Sequence, residues 1–238
     1  MLFDLPIIDF MKLVGTIVCG LFLLAAVSCG NSVPSAGECG ECTNNGTECA
    51  SGECEDKSNC KGVGSNAVVE NIMSRRSIRN YKEKPVERAL VEEVMKCGIN
   101  APNGQNKQSW EVRIVDDPAF QNEIRAAMAA TGNERAAGCF YNAPVWLFIA
   151  CDKSYDFSTI DCGLLSQNIM LSANALCLGT VCLGSPVRFI LTSPDKDKVL
   201  SKLGFSDGYE LCICIAMGYP NEKPAAKPRD FGKVKFVD

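Results

Sequence analysis

The chain has 238 residues, 47% hydrophobic and 22% charged, a balance that supports a buried core and excludes a disordered or fibrous protein. Fifteen cysteines and no histidine exclude Ser-His-Asp and Cys-His nucleophile systems and histidine-based zinc sites. A net charge of -4 lacks the lysine and arginine excess with which nucleic-acid binders neutralise phosphates, so no nucleic-acid partner is expected.

Residues 1–28 read as a secretory signal. Lys12 precedes an apolar stretch, Leu13 to Val27, which ends at the small Ser28. That run is short for a membrane-spanning helix, which favours a cleaved signal over an anchor helix. Ala26-Val27-Ser28-Cys29 resembles a bacterial lipobox, so Cys29 is expected to be acylated as the mature N-terminus. The residues before Met11 carry Asp4 and Asp9 and no basic group, the wrong charge for the front of a signal, and Met11 is the expected start. The implied location is the bacterial cell envelope, membrane-anchored and facing the periplasm or exterior.

Residues 29–66 form a polar, acidic spacer. From Gly30 to Asn66 there are six acids, two bases and almost no large apolar residue, too little to build a core. Cys39, Cys42, Cys49, Cys54 and Cys60 favour disulfides in an oxidising compartment, with a bound metal or cluster as the lesser alternatives.

From Ala67 to Asp238 the composition is that of a folded domain. A helix is expected to end near Arg75, and a second to start at Pro85, carrying Val86, Leu90, Val94 and Met95 at helical spacing. Trp110 to Val115 alternates as a strand, Phe120 to Ala130 is helical, and Val145 to Ala150 is a continuous apolar strand. Thr159 to Leu178 reads as a buried helix whose only charge is Asp161. Leu211 to Met217 is a buried strand, and the lysine- and proline-rich tail closes on a strand-like Val234 to Val237. Cys97, Cys151, Cys177, Cys212 and Cys214 sit among apolar residues and are expected in the core.

Four motifs could carry chemistry. Arg75-Arg76-Ser77-Ile78-Arg79 can hold a phosphate or an anionic ring edge, or can be a solvated helix end. The amide-rich turn Pro102-Asn103-Gly104-Gln105-Asn106-Lys107-Gln108 can donate to and accept from a flat heterocycle. The glycines of Leu178-Gly179-Thr180-Val181-Cys182-Leu183-Gly184 allow close approach of backbone to a ligand, or a helix cap and a tight connection. Lys227-Pro228-Arg229 suits a phosphate or a solvated tail.

At these residues, in this order, the chain resembles the nitroreductase family of FMN-dependent oxidoreductases. Asp161-x-Gly163, Gln167-Asn168 and Gly218-Tyr219-Pro220 also look like that family. Ser109 departs from it, because proline is common there before the tryptophan. The resemblance implies an α+β fold with a central mixed or antiparallel sheet flanked by helices, in a domain-swapped homodimer with FMN at the subunit interface. It assigns Arg75, Arg76, Ser77 and Arg79 to the flavin phosphate and ring edge, and Lys227 and Arg229 to the phosphate. Pro102, Asn103, Gly104 and Asn106 would reach the ring from the partner subunit, and Leu183 and Gly184 would face its reactive side. Cys139, Cys162 and Cys182 fall near this region.

The implied reaction is two-electron, ping-pong reduction of small nitroaromatic or quinone-like acceptors with NAD(P)H as donor. No protein side chain is expected to act as a catalytic group and no metal is expected, since the flavin carries the chemistry. An address outside the cytoplasm leaves open another reductant, or delivery through the cysteine-rich spacer. The alternatives are a flavoenzyme of the reductive dehalogenase type, disfavoured by the short segment between Pro118 and Phe140, and a flavin-binding lipoprotein without turnover.

Overall fold

A computed structural model describes residues 66–238. The expected signal, the Cys29 lipidation site and nearly all of the cysteine-rich spacer lie outside the described residues.

Helix α1 (Ala67–Ser74) is started by Asn66, whose side-chain oxygen accepts the Val68 and Val69 N–H groups at 2.9 and 3.3 Å. Helix α2 (Arg88–Ile99) begins later than its apolar spacing and Pro85 suggest. Residues 84–87 are instead pinned to the far end of the domain. The Tyr219 hydroxyl donates to Glu87 at 2.6 Å, Lys84 Nζ stands 4.1 Å from the centre of the Tyr219 ring, and Val86 is buried. These distant contacts outweigh the local preference of proline for a first helical turn.

Strand β1 (Trp110–Val115) matches the alternating pattern. Helix α3 (Pro118–Ala129) is capped by Asp117, which accepts from Ala119 and Phe120 N–H, with Pro118 where its missing donor costs nothing. Strand β2 (Val145–Asp152) is followed by α4 (Ser158–Ala175), β3 (Gly179–Leu183), α5 (Ser185–Thr192), α6 (Lys196–Leu203) and β4 (Tyr209–Gly218). The glycine-flanked segment after α4 is therefore a strand. The helix reverses through Cys177 at a φ of 59°, not through a glycine. Val234 to Val237 joins no strand. A single 3-10 turn at Phe231–Lys233 precedes it, and Val234, Phe236 and Val237 are exposed.

All neighbouring strands are antiparallel, in the order β1-β2-β4-β3. The α+β layout agrees with the expected one. β2 has helices on both faces, which explains its unbroken apolar run. Trp146 and Phe148 face the layer of α3, α5 and α6, whereas Val145, Leu147, Ile149 and Cys151 face α2 and α4. Phe140 stacks on Trp146 with ring centres 3.8 Å apart. Each such large side chain stabilises the fold by about 1.5–3 kcal/mol when fully buried. Cys151 and Cys214 are buried as expected; Cys97 and Cys177 are exposed, because their apolar sequence neighbours turn inward while they do not.

The buried charge on α4 has a specific task. Asp161, 2% exposed, accepts the Gly104 N–H at 2.9 Å and the Ser109 hydroxyl at 2.7 Å. Within the loop the Gln108 N–H donates to the Asn103 side chain at 2.9 Å. Gln105, Asn106 and Gln108 all have φ near +50° (55°, 54° and 49°), a conformation that costs a side-chain-bearing residue roughly 1–2 kcal/mol. Asp161 thus clamps a strained loop in one shape. Asp161→Ala strands the buried Ser109 hydroxyl and the partly buried Gly104 N–H and should destabilise the domain by about 1–3 kcal/mol. Urea unfolding monitored by circular dichroism would show it as a lower midpoint, with limited proteolysis shifting to residues 103–108.

Candidate functional site

The site is built on the extended strip that leaves α1. Arg75 ends the helix by donating its N–H to the Asn71 carbonyl and turning to a ψ of 131°. Arg76 folds back on the same helix end, its Nη1 donating to the carbonyls of Met73 and Arg75 at 2.6 and 2.9 Å. That placement suits a cation at a helix C-terminus. Ser77 then bridges Thr180 on β3, and the Ile78 N–H donates to the Thr180 carbonyl at 2.9 Å.

Further along, the strip is laced to the exit of β4. Tyr81 bridges Pro220, and its buried hydroxyl donates to the Ile78 carbonyl at 2.8 Å. Burial pushes that hydroxyl far above its ordinary titration range, so it stays a donor. The Lys82 N–H donates to Tyr219 and the Asn221 N–H to Asn80, both at 2.9 Å. The Glu222 carboxylate accepts the backbone N–H groups of Arg79 and Asn80. These bonds bring the basic tail after β4 alongside the basic end of α1.

Two glycines make the lacing possible. A Cβ on Gly179 would stand 2.7 and 2.9 Å from Ile78 Cγ1 and Cβ, and one on Gly218 would stand 2.6 Å from Pro144 Cδ. At both places the space a side chain would need is filled by the strip or by the loop that supports it.

The result is a cleft of about 460 Å³ lined by Arg75, Arg76, Ser77, Arg79, Lys227 and Arg229 together with Ile72, Met73, Gln167 and the Pro224–Ala226 segment. Five of these residues are cations, and among the described residues no acidic side chain lines the cleft. Arg75 Nη1 is buried without a hydrogen-bond partner. A buried guanidinium N–H left unpaired is costly, and an anionic acceptor in the cleft removes that cost. Arg229 reaches only the carbonyls of Lys227 and Pro228 at 3.5 Å, which leaves its head free to meet an anion.

Residues separated by about 150 positions, the Arg75–Arg79 motif and Lys227 with Arg229, thus meet in one cleft. The other expected positions do not line it. Pro102, Asn103, Gly104 and Asn106 sit on the clamped loop, with Pro102 and Asn106 exposed. Leu183 is buried at the end of β3 and Gly184 is exposed beside it. Cys182 is exposed on β3 and close enough to feel the Arg75 charge, Cys139 is buried on the α3 side, and Cys162 lies between the sheet and α4. The sequence motifs did not include Ile72, Met73 and the Pro224–Ala226 segment as site residues. Gln167 had a signal in the Gln167-Asn168 pair that resembles the family.

Known proteins share this architecture. A nitroreductase with bound FMN from Desulfitobacterium hafniense superposes with a TM-score of 0.67 at 26% identity, covering 73% of this chain and all of that one. A provisionally named NADH dehydrogenase/NAD(P)H nitroreductase of Methanothermobacter thermautotrophicus is 26% identical over 165 residues, 67% of this chain and 81% of its own length. The NADPH-flavin oxidoreductase of Vibrio harveyi is 24% identical over 181 residues, 69% of this chain and 70% of its own. The profile of the nitroreductase family matches residues 72–219, from the cleft-lining end of α1 to the Tyr219 that receives the strip, and the chain belongs to that family of oxidoreductases.

Proposed function

We propose that the cleft binds FMN and that the protein transfers two electrons from NAD(P)H to small nitroaromatic or quinone-like acceptors. The observation that carries this reading is the buried, unpartnered Arg75 Nη1 in a cleft that, among the described residues, is lined by five cations and no acid. Such a site fits a phosphate monoester, the one strongly anionic part of FMN. When bound, the flavin supplies the electron and hydride chemistry.

The chain's own residues then have distinct tasks. Arg75, Lys227 and Arg229 hold the phosphate. Ser77 and Arg79, further along the extended strip, serve the ring edge. Gln167 presents an amide to the same cleft. Arg76 is already committed to the end of α1 and acts by shaping the turn.

The homodimer belongs to the same proposal. Val68, Ile72 and Met73 of α1, Ile160 and Leu164 of α4, and Phe231, Phe236 and Val237 of the tail are all exposed. A second copy covering these faces removes them from water. The loop carrying Pro102, Asn103, Gly104 and Asn106 is held in shape by Asp161 away from its own chain's cleft, as a loop serving the partner's flavin would be. Leu183 and Gly184 complete the ring's surroundings in this reading. Acylation at Cys29 anchors the protein to the envelope membrane, where NAD(P)H or another reductant serves as the donor.

Three measurements test the proposal. Purified protein mixed with FMN should retain a flavin absorbance spectrum, and Arg75→Ala should weaken FMN binding roughly 10- to 100-fold, the loss expected for a charge-assisted contact. Unchanged affinity contradicts the phosphate assignment. In anaerobic stopped-flow, NADH or NADPH should bleach the bound flavin and a nitroaromatic or quinone should restore it; a flavin that no donor reduces and no acceptor reoxidises indicates binding without turnover. Cys29→Ala should move the protein from the membrane to the soluble fraction of bacterial cells, and wild-type protein already soluble and unlipidated contradicts the anchor.

A further inference from the structure

Three cysteines that the proposed reaction does not use converge between the sheet and α4. Strand β4 carries a bulge: Ile213 pairs with Ile149 and Leu211 with Ala150, which leaves Cys212 as the extra residue. The bulge turns both Cys212 and Ile213 toward α4, while their neighbours Leu211 and Cys214 face the opposite layer. Cys151 follows Ala150 on β2, and Cys162 reaches down from α4 with its Sγ 3.6 Å from the Ala150 carbonyl. The bulge places Cys212 opposite Ile149 and Ala150, beneath the point where Cys162 meets the Ala150 carbonyl, so the three cysteines share one small region of the α4-facing layer. Cys151 and Cys162 are buried, whereas Cys212 is partly exposed.

We propose that Cys162 and Cys212 form a redox-active dithiol that exchanges with small-molecule disulfides. Cys212 is the attacking thiol and Cys162 the resolving one. The assignment of the pair follows from direction. Cys151 lies in register with Glu210, one pair beyond the bulge, whereas Cys162 faces the sheet from α4 at Ala150, where the bulge carries Cys212 toward the helix.

The chemistry is that of thiol–disulfide exchange. The neighbouring Cys162 and then Cys151 sulfurs, with Lys153 nearby, lower the Cys212 thiol against burial and the Glu210 charge. The neighbouring Cys212 sulfur and burial push the Cys162 thiol up, and Cys151 is pushed up by burial. The Cys212 thiolate attacks one sulfur of R–S–S–R, a sulfur–sulfur bond breaks, and RS⁻ leaves. The Cys162 thiol then attacks the Cys212 sulfur of the mixed disulfide and displaces the second RS⁻. The two protein thiols lose two electrons and two protons, and the small disulfide becomes two RSH. Among the described residues no group of three or more Cys, Asp and Glu is arranged to hold a metal, so metal binding does not compete for this cluster.

The test uses the reduced, full-length protein and oxidised glutathione, with free thiols then blocked by N-ethylmaleimide and the peptides sequenced by mass spectrometry. The expected product is a Cys162–Cys212 cross-linked peptide, two hydrogens lighter than its reduced parts and reversed by dithiothreitol. Cys162→Ser should trap glutathione on Cys212, and Cys151→Ser should still form the cross-link. A Cys151–Cys212 link overturns the proposal. So does glutathione appearing on the exposed Cys97 or Cys177 while Cys212 is recovered with maleimide. The wild-type digest decides the matter even if a variant fails to fold, and neither result depends on FMN.

Discussion

The close passage of Ile78 over Gly179 is the contact on which the site depends. There is no room for a methyl group between them, and the Ile78 N–H is bonded to the neighbouring Thr180. Because the strip is held there, Arg75 and Ser77 are fixed on one side and Tyr81 is delivered to Pro220 on the other. Everything basic in the cleft is positioned from this seam. The N-terminal arginines sit where α1 ends, and the C-terminal cations sit where the chain leaves β4.

The domain carries local cost in and around its candidate site and offsets it with packing elsewhere. The fully buried β2, with Trp146 and Phe148 on one face and Leu147 and Ile149 on the other, supplies a rigid floor. On that floor stand an unpaired guanidinium N–H and a loop with three side-chain-bearing residues at positive φ. Unsatisfied polar groups and strained backbone are stabilising only when a ligand or partner completes them, which is why both point to function here.

Much of the fold was legible because its signals are local. The alternation of β1, the apolar run of β2 and the length of α4 all follow from residues adjacent in sequence. Long-range contacts defeated the local signals elsewhere. Pro85 reads as a helix start, but Tyr219 holds Lys84 and Glu87 in an extended segment. The glycines around Thr180 read as a turn or a cap, yet Gly179 is a strand residue that makes room for Ile78. In the site, the arginine motif and Lys227 with Arg229 carried meaning in sequence only as a combined pattern, and the cleft supplies the physical reason. The near absence of charge on α4 marked the helix as buried, but not that Asp161 clamps a loop. The meeting of Cys151, Cys162 and Cys212 was invisible, because it needs a bulge that redirects one side chain.

The central claim is that the cleft recognises a phosphate through Arg75. FMN and riboflavin differ only in that phosphate, so calorimetric titration of the protein with each isolates the interaction. The account predicts that riboflavin binds roughly 100-fold or more weakly than FMN, and that the gap narrows sharply in Arg75→Ala. Equal affinities for the two flavins, or an undiminished gap in the variant, would contradict it.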